Sequence, residues 1–286
     1  MKSLATTLTP DDLVRDLKQL PSTPCVLPRL AKLLKSDSAS ISDVIELIRV
    51  DTAITARTIQ IGSSIYYSPH GKRCENVEEA VNRVGFNEIY KLVSYAATAQ
   101  LLLRPLDSYG LETNDTWRLS VTCALAAEQL AGHAGIDRSL AYTVGLLHGV
   151  GLISLDAWRQ ASPPVRRFAS LGLPTETVAA EEREFGFNNA TVASALLRLW
   201  EFPPSIVDPI CWQYEPQSAK DEPLMACLLH AAKWLRDAAH VPDEQPLPPE
   251  PEEWIMNTLH LSSKELEILI YTVRAAFVEA SKLLLN

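Results

Sequence analysis

Apolar side chains recur every three or four residues along most of the chain, and no segment joins strict two-residue alternation to β-branched enrichment. Leu13, Leu17 and Leu20 follow Thr9-Pro10-Asp11-Asp12, which reads as an N-cap with proline at the first helical position and acids in the first turn. Leu27, Leu30, Leu33 and Leu34 form a second apolar face, and Val44, Ile45, Leu47 and Ile48 a third behind the capping pair Ser40 and Asp43. Val77, Val81 and Val84 mark a short helix stopping near Gly85, and Ile89, Leu92, Val93 and Ala96 open a longer one to about Leu103. Residues 104–116, with Pro105 and Gly110, break the pattern and read as a join. Further helices are expected over Trp117–Gly132, Arg138–Trp158, Thr175–Glu184, Ala190–Trp200, Ser205–Tyr214 and Pro223–Ala239.

The stretch 241–251, VPDEQPLPPEP, holds five prolines and reads as an extended spacer. Beyond it, Ser262-x-x-Glu265 is a capping box ahead of the stripe Leu266, Leu269, Ile270, Val273, Phe277, Ala280 and Leu284. That helix either folds back on the body or serves a partner, a second copy included. The expected fold is all-α, with two helical lobes at 10–104 and 111–240, a spacer at 241–251 and a helical extension at 252–286. Eleven glycines in 286 residues suit such a chain, because tight hairpins demand more.

A formal charge of −9 argues against a general grip on nucleic acid or anionic lipid. The most apolar window, Val144–Leu155, is short of the roughly 20 residues a membrane span needs, so a cytoplasmic protein with no membrane partner is expected. Five cysteines without a C-x-x-C pair indicate neither a disulfide framework nor a zinc ribbon. Walker, G-x-S-x-G, dinucleotide and H-E-x-x-H patterns are missing, and no two of the six histidines show a ligand spacing. Arg159, Arg166 and Arg167 near Pro163-Pro164 read as a solvated basic loop. Tyr66 and Tyr67 follow an apolar helix face directly, which favours packing but leaves an aromatic contact surface open.

Several segments, in order, resemble the HDOD family, helical bacterial signalling domains related to the HD and HD-GYP phosphohydrolases. They are Leu20-Pro21-Ser22-Thr23-Pro24, then Asp51–Arg57 running to Ser64-Ile65-Tyr66-Tyr67, with Ser63-Ser64 where the family usually has Asn-Ser. Glu79-Ala80-Val81 with Val84-Gly85 follows, and then Trp117-Arg118-Leu119-Ser120, Gly145-Leu146-Leu147-His148 and Phe185-Gly186-Phe187. The likeness spans about residues 13–240 and implies that the second lobe is HD-like.

HD hydrolases hold one or two metal ions with His and Asp side chains. Carried over by the resemblance, the first histidine falls on Leu119 and the His-Asp dyad on His148-Gly149. The next histidine falls on Asn189, a histidine pair on Gln213 and Tyr214, and the late aspartate on Lys233. Only His148 survives, and one imidazole does not hold a catalytic metal. Leu119 joins Cys123, Ala126 and Leu130 in an apolar stripe, and Lys233 would bring positive charge to the cation's place.

The resemblance therefore implies no catalytic or metal residue and no cofactor, but a regulatory protein that binds another signalling protein. Candidate surfaces are Tyr66, Tyr67 and the helix bearing Leu266, Ile270, Val273 and Phe277. The vestigial pocket of Leu119, His148, Gly149, Asn189, Gln213, Tyr214 and Lys233 is expected to close into a polar network. Its rival is an anion or nucleotide pocket, which would make the protein a small-molecule receptor. A residual phosphohydrolase is a further alternative.

Overall fold

The computed structural model describes residues 8–17, 29, 41–49, 52–64, 66–69, 71–161 and 174–284. The leucine face at 27–34, the Leu20–Pro24 and Asp51 parts of the resemblance, Ser40, Ile65, Arg166 and Arg167 lie outside them. Fourteen α-helices and two 3-10 turns are described, and among the described residues the β-structure is one isolated bridge, Leu106 to Leu111.

The first helices are α1 (Pro10–Asp16), α2 (Ile41–Arg49), α3 (Thr52–Gly62), α4 (Val77–Val84) and α5 (Phe86–Leu102). α1 starts at the Thr9 N-cap that the sequence indicates, and the structure makes it a full capping box, in which the Asp12 carboxylate accepts from the Thr9 N–H and the Thr9 hydroxyl oxygen from the Asp12 N–H. α2 to α4 and the first half of α5 enclose an aliphatic core that includes Val44, Ile48, Ile54, Val81 and Ile89. α1 does not join that core. Its Leu13 and Val14 pack with the second lobe, where α1 lies against α10 (Asn189–Leu199), although the chain pattern groups 10–104 together.

The larger core is built by α6 (Thr113–Ala134), α7 (Arg138–Leu147), α8 (Val150–Gln160), α9 (Pro174–Phe185), α10, α11 (Pro204–Cys211) and α12 (Pro223–His240). The single helix expected over 138–158 is two helices, broken at His148-Gly149. The run Arg138–Gln160 is long and apolar enough by composition to cross a membrane, and 89% of its most apolar window is buried in the protein. Two glycines flank the break. A Cβ on Gly145 would stand 2.7 Å from the Cys123 carbonyl oxygen, and one on Gly151 only 1.8 Å from the Asn189 carbonyl oxygen. Hydrogen-sized side chains thus bring α7 onto α6 and α8 onto α10, on either side of His148.

The spacer runs exposed along the body, with the Trp234 indole N–H donating to the Pro249 carbonyl at 2.6 Å. α13 (Glu253–Thr258) follows, then α14 (Ser263–Leu284), which begins at the expected Ser262–Glu265 box. α14 docks in cis. Leu266, Leu269, Ile270 and Val273 are 1, 6, 4 and 0% exposed against α6 and α12. Each such burial contributes about 1.5–3 kcal/mol, and Arg274 adds hydrogen bonds to the Ala239 and Val241 carbonyls at the end of α12.

Those buried positions correct the candidate surface. Leu266, Ile270 and Val273 are core, and Phe277 packs on Trp117 and His240. The face that α14 leaves open carries Ile268, Tyr271 and Val278 instead. Tyr66 is exposed as considered, and Tyr67 is half-buried against the first core. Arg159 is corrected too. It is buried at the end of α8 and salt-bridged to Glu184 at 3.0 Å, and its guanidinium carbon stands 6.0 Å from the centroid of the Phe185 ring.

Candidate functional site

His148 caps the C-terminal end of α7, and the helix break aims its ring into the lobe. Its Nδ1 lies 2.6 Å from the Gly145 carbonyl oxygen and its Nε2 2.9 Å from an Arg236 guanidinium nitrogen. A carbonyl only accepts and a guanidinium only donates, so the ring is neutral, with the proton on Nδ1. Burial, then the Arg236 and Lys233 charges, hold its pKa well below the ordinary value. The Nε2 lone pair, the one a metal would use, is already occupied.

Gln213 follows α11 and is fully buried. Its amide donates to the His148 and Ile210 carbonyls, both at 3.1 Å, and its oxygen accepts from Lys233 Nζ at 2.9 Å. The Lys233 ammonium also sits 3.5 Å from the centroid of the Tyr214 ring, which adds a cation–π attraction of about 1–2 kcal/mol in a desolvated setting. Burial, with Arg236 nearby, still pushes the Lys233 pKa well down. For Arg236, burial opposes the charge, and the paired Asp237 carboxylate more than offsets it through contacts at 2.7 and 2.9 Å.

The other side of the Tyr214 ring leads to acid. Its hydroxyl donates to Asn189 Oδ1 at 3.1 Å, and Asn189 gives its backbone N–H and its amide to Glu181 at 2.7 and 2.8 Å. Tyr109 completes the Glu181 shell from the 3-10 turn Asp107–Tyr109, donating at 2.6 Å. Burial raises the Glu181 pKa, while these three donors work the other way. The result is one continuous chain from Tyr109 to Asp237, in which two basic side chains face two acids and each named group has a partner.

Of the seven vestigial positions, the structure joins five: His148, Asn189, Gln213, Tyr214 and Lys233. Leu119 is corrected. It is only half-buried and outside the core cluster, whereas Cys123, Ala126 and Leu130 below it are 0, 0 and 1% exposed. Gly149 contributes space, since a Cβ there would meet nothing nearer than Ser120 Oγ at 3.8 Å. Glu181, Arg236, Asp237 and Tyr109 join the five without belonging to any motif of the sequence. Arg236 had a signal, because Lys233-x-x-Arg236 puts both cations on one helix face.

A metal does not fit this donor set. Among the described residues no group of three or more His, Cys, Asp or Glu side chains is placed to hold one. Lys233 and Arg236 stand on the side of the network where a cation would be repelled.

The family model of the HDOD domain matches residues 20–216. The chain belongs to the HDOD family. The same fold is found in an HDOD domain protein of unknown function from Geobacter sulfurreducens, at 21% identity and TM-score 0.72, covering 96% of this chain and 98% of that one. A protein of Marinobacter aquaeolei VT8, provisionally named for signal transduction, matches at 19% identity and TM-score 0.73 over 96% of this chain and 64% of its own. A Shewanella amazonensis SB2B protein, provisionally named a phosphohydrolase, shares 22% identity and TM-score 0.67 over 95 and 97%. A curated relative in Treponema pallidum (strain Nichols) is 25% identical over 231 residues, and this HDOD chain spans 43% of its length. These likenesses carry the HDOD fold and leave the chemistry to the site.

Proposed function

We propose that this HDOD protein is a non-catalytic regulatory scaffold of bacterial signal transduction, working by contact with another signalling protein. The observation that supports it is the occupied centre of the second lobe. His148 Nε2 is bound to Arg236, and the Lys233 ammonium is tied to Gln213, in the place where the HD resemblance would put metal ligands. Hydrolysis of a phosphoester by that route needs an open coordination position and carboxylate or imidazole donors, and this donor set offers neither. The vestigial pocket is equally poor as a nucleotide or anion site, because its polar groups already satisfy one another. Exposed Tyr66 and the outer face of α14 are the surfaces offered to a partner.

Elemental mass spectrometry on purified, tag-free protein tests the reading. We expect less than about 0.1 equivalent of transition metal and no turnover of phosphoesters with added Mn²⁺ or Zn²⁺, against the three ligands a catalytic site takes. A full equivalent of metal with phosphoester turnover would refute it.

A further inference from the structure

A second polar cluster lies away from the vestigial pocket. A cleft of about 470 Å³ opens where α5, α6, α7 and the end of α14 meet, beside Tyr66 and Tyr67. Its size and its position between lobes suit a small ligand. Tyr142 lines it, and its side chain is 3% exposed. Among the described residues the Tyr142 hydroxyl has no hydrogen-bond partner, in contrast to Tyr90, Tyr109 and Tyr214, whose buried hydroxyls bond to Thr143, Glu181 and Asn189. The rest of the side chain is packed, so the hydroxyl is held at the cleft wall with its hydrogen-bonding capacity turned to whatever fills the cleft.

Three acids, Glu88, Glu128 and Glu279, and two cations, Lys91 and Arg138, line the cleft. Lys91 bridges two carboxylates, Glu88 and, at 3.1 Å, Glu128. One ammonium therefore serves two acids. After burial itself, the negative charges of Glu128 and Glu88 are what push the Tyr142 phenol upward, so both act on its hydroxyl. The Tyr66 and Tyr67 rings stand edge to face, 4.7 Å between centroids, and Tyr66 is 64% exposed. Leu92 and Leu125 supply an apolar wall. Arg138, exposed and without a partner among the described residues, also lines the cleft.

We propose that this inter-lobe cleft binds a small organic amine of about amino-acid size. Its ammonium is held by Glu128, Glu88 and the Tyr142 oxygen, and its apolar body lies on Leu92 and Leu125 beside the tyrosine pair. Arg138 receives a carboxylate where the amine carries one. Acids and aromatic rings both attract an ammonium. This goes beyond the scaffold reading and does not depend on it, since no residue of the vestigial network takes part.

Isothermal titration calorimetry on the full chain with phenethylamine, L-phenylalanine and phenylacetate tests it. Both amines are expected to bind, L-phenylalanine more tightly, and phenylacetate not to bind. Tyr142→Phe is expected to weaken both amines about tenfold, the loss of one hydrogen bond to a charged group, without lowering the unfolding midpoint, because no internal bond is broken. Arg138→Ala should remove only the advantage of L-phenylalanine. Binding of phenylacetate as strong as that of the amines would overturn the proposal, as would binding of neither amine. So would affinity that is lost in Lys233→Met and kept in Tyr142→Phe, which would return the ligand to the vestigial network. Metal content, which judges the scaffold reading, is untouched by any of these results.

Discussion

The second-lobe network and the inter-lobe cleft are built from the same residue types and end in opposite states. In the network, tyrosine, acid, amide and cation are arranged so that each named group has a partner, and two basic side chains are matched by Glu181 and Asp237. In the cleft, one lysine serves two glutamates, and the Tyr142 hydroxyl at the wall has no partner among the described residues. The lesson is that descent from a metal site does not mark where chemistry remains. A buried polar group that is fully bonded is finished as a ligand site, and an unmet one beside open volume is not.

The largest test of that contrast is Glu181→Ala. It strands the Tyr109 hydroxyl and two Asn189 donors and leaves the basic side chains in excess, so urea denaturation should show a loss of about 3 kcal/mol or more. Lys233→Met removes a cation that burial disfavours but strands one acceptor, the Gln213 oxygen, and should cost less, about 1–2 kcal/mol. A cost below about 0.5 kcal/mol for both would mean the network is not a matched circuit.

A smaller effect comes from histidine. His240 bonds to Thr122 at 2.9 Å and stacks edge-on to Phe277, where burial and then Arg118, with Arg236 and Arg274 also near, lower its pKa to about 4. A folded-state pKa below the unfolded one means the native state favours the neutral ring. Its stabilisation is therefore full above about 6.5 and is lost as pH falls toward 4. The ring is partly open to solvent, so the discounted contribution is on the order of 1 kcal/mol. Unfolding free energies measured between these limits should fall by less in His240→Asn than in the parent chain. A parallel fall in both would remove His240 from the account.

The finest test compares two tyrosines. Tyr90→Phe breaks a 2.6 Å bond to Thr143 and should cost about 1 kcal/mol. Tyr142→Phe breaks none and should change stability by less than about 0.5 kcal/mol in either direction. If thermal melts show Tyr142→Phe to be the more damaging, its hydroxyl is not spare and the cleft is no different from the network.

What could be read in the sequence divides along the range of the interaction. The N-cap at Thr9 and the capping box at Ser262 were legible because each is complete within four residues. The helical character of α4, α5 and α12 was legible from apolar spacing. The break at His148-Gly149 was hidden inside an unbroken apolar run, because the close approaches at Gly145 and Gly151 involve other helices. Five of the vestigial residues were placed correctly together by resemblance. Glu181 was invisible, since it lies in the polar string Glu181-Glu182-Arg183-Glu184, where only tertiary packing tells the buried acid from its solvated neighbours. The cis docking of α14 is not legible in the sequence, because an amphipathic stripe says what is buried and not by whom.

α5 contributes Ile89, Leu92 and Val93 to one core and Tyr95, Leu101 and Leu102 to the other. Seventeen residues make a rod about 25 Å long, anchored at both ends and touching the cleft between them. Such a rod is a lever with a load at each end. A tilt of about 5° imposed at its midpoint would carry either tip roughly 1 Å, and well-packed cores do not absorb that without repacking.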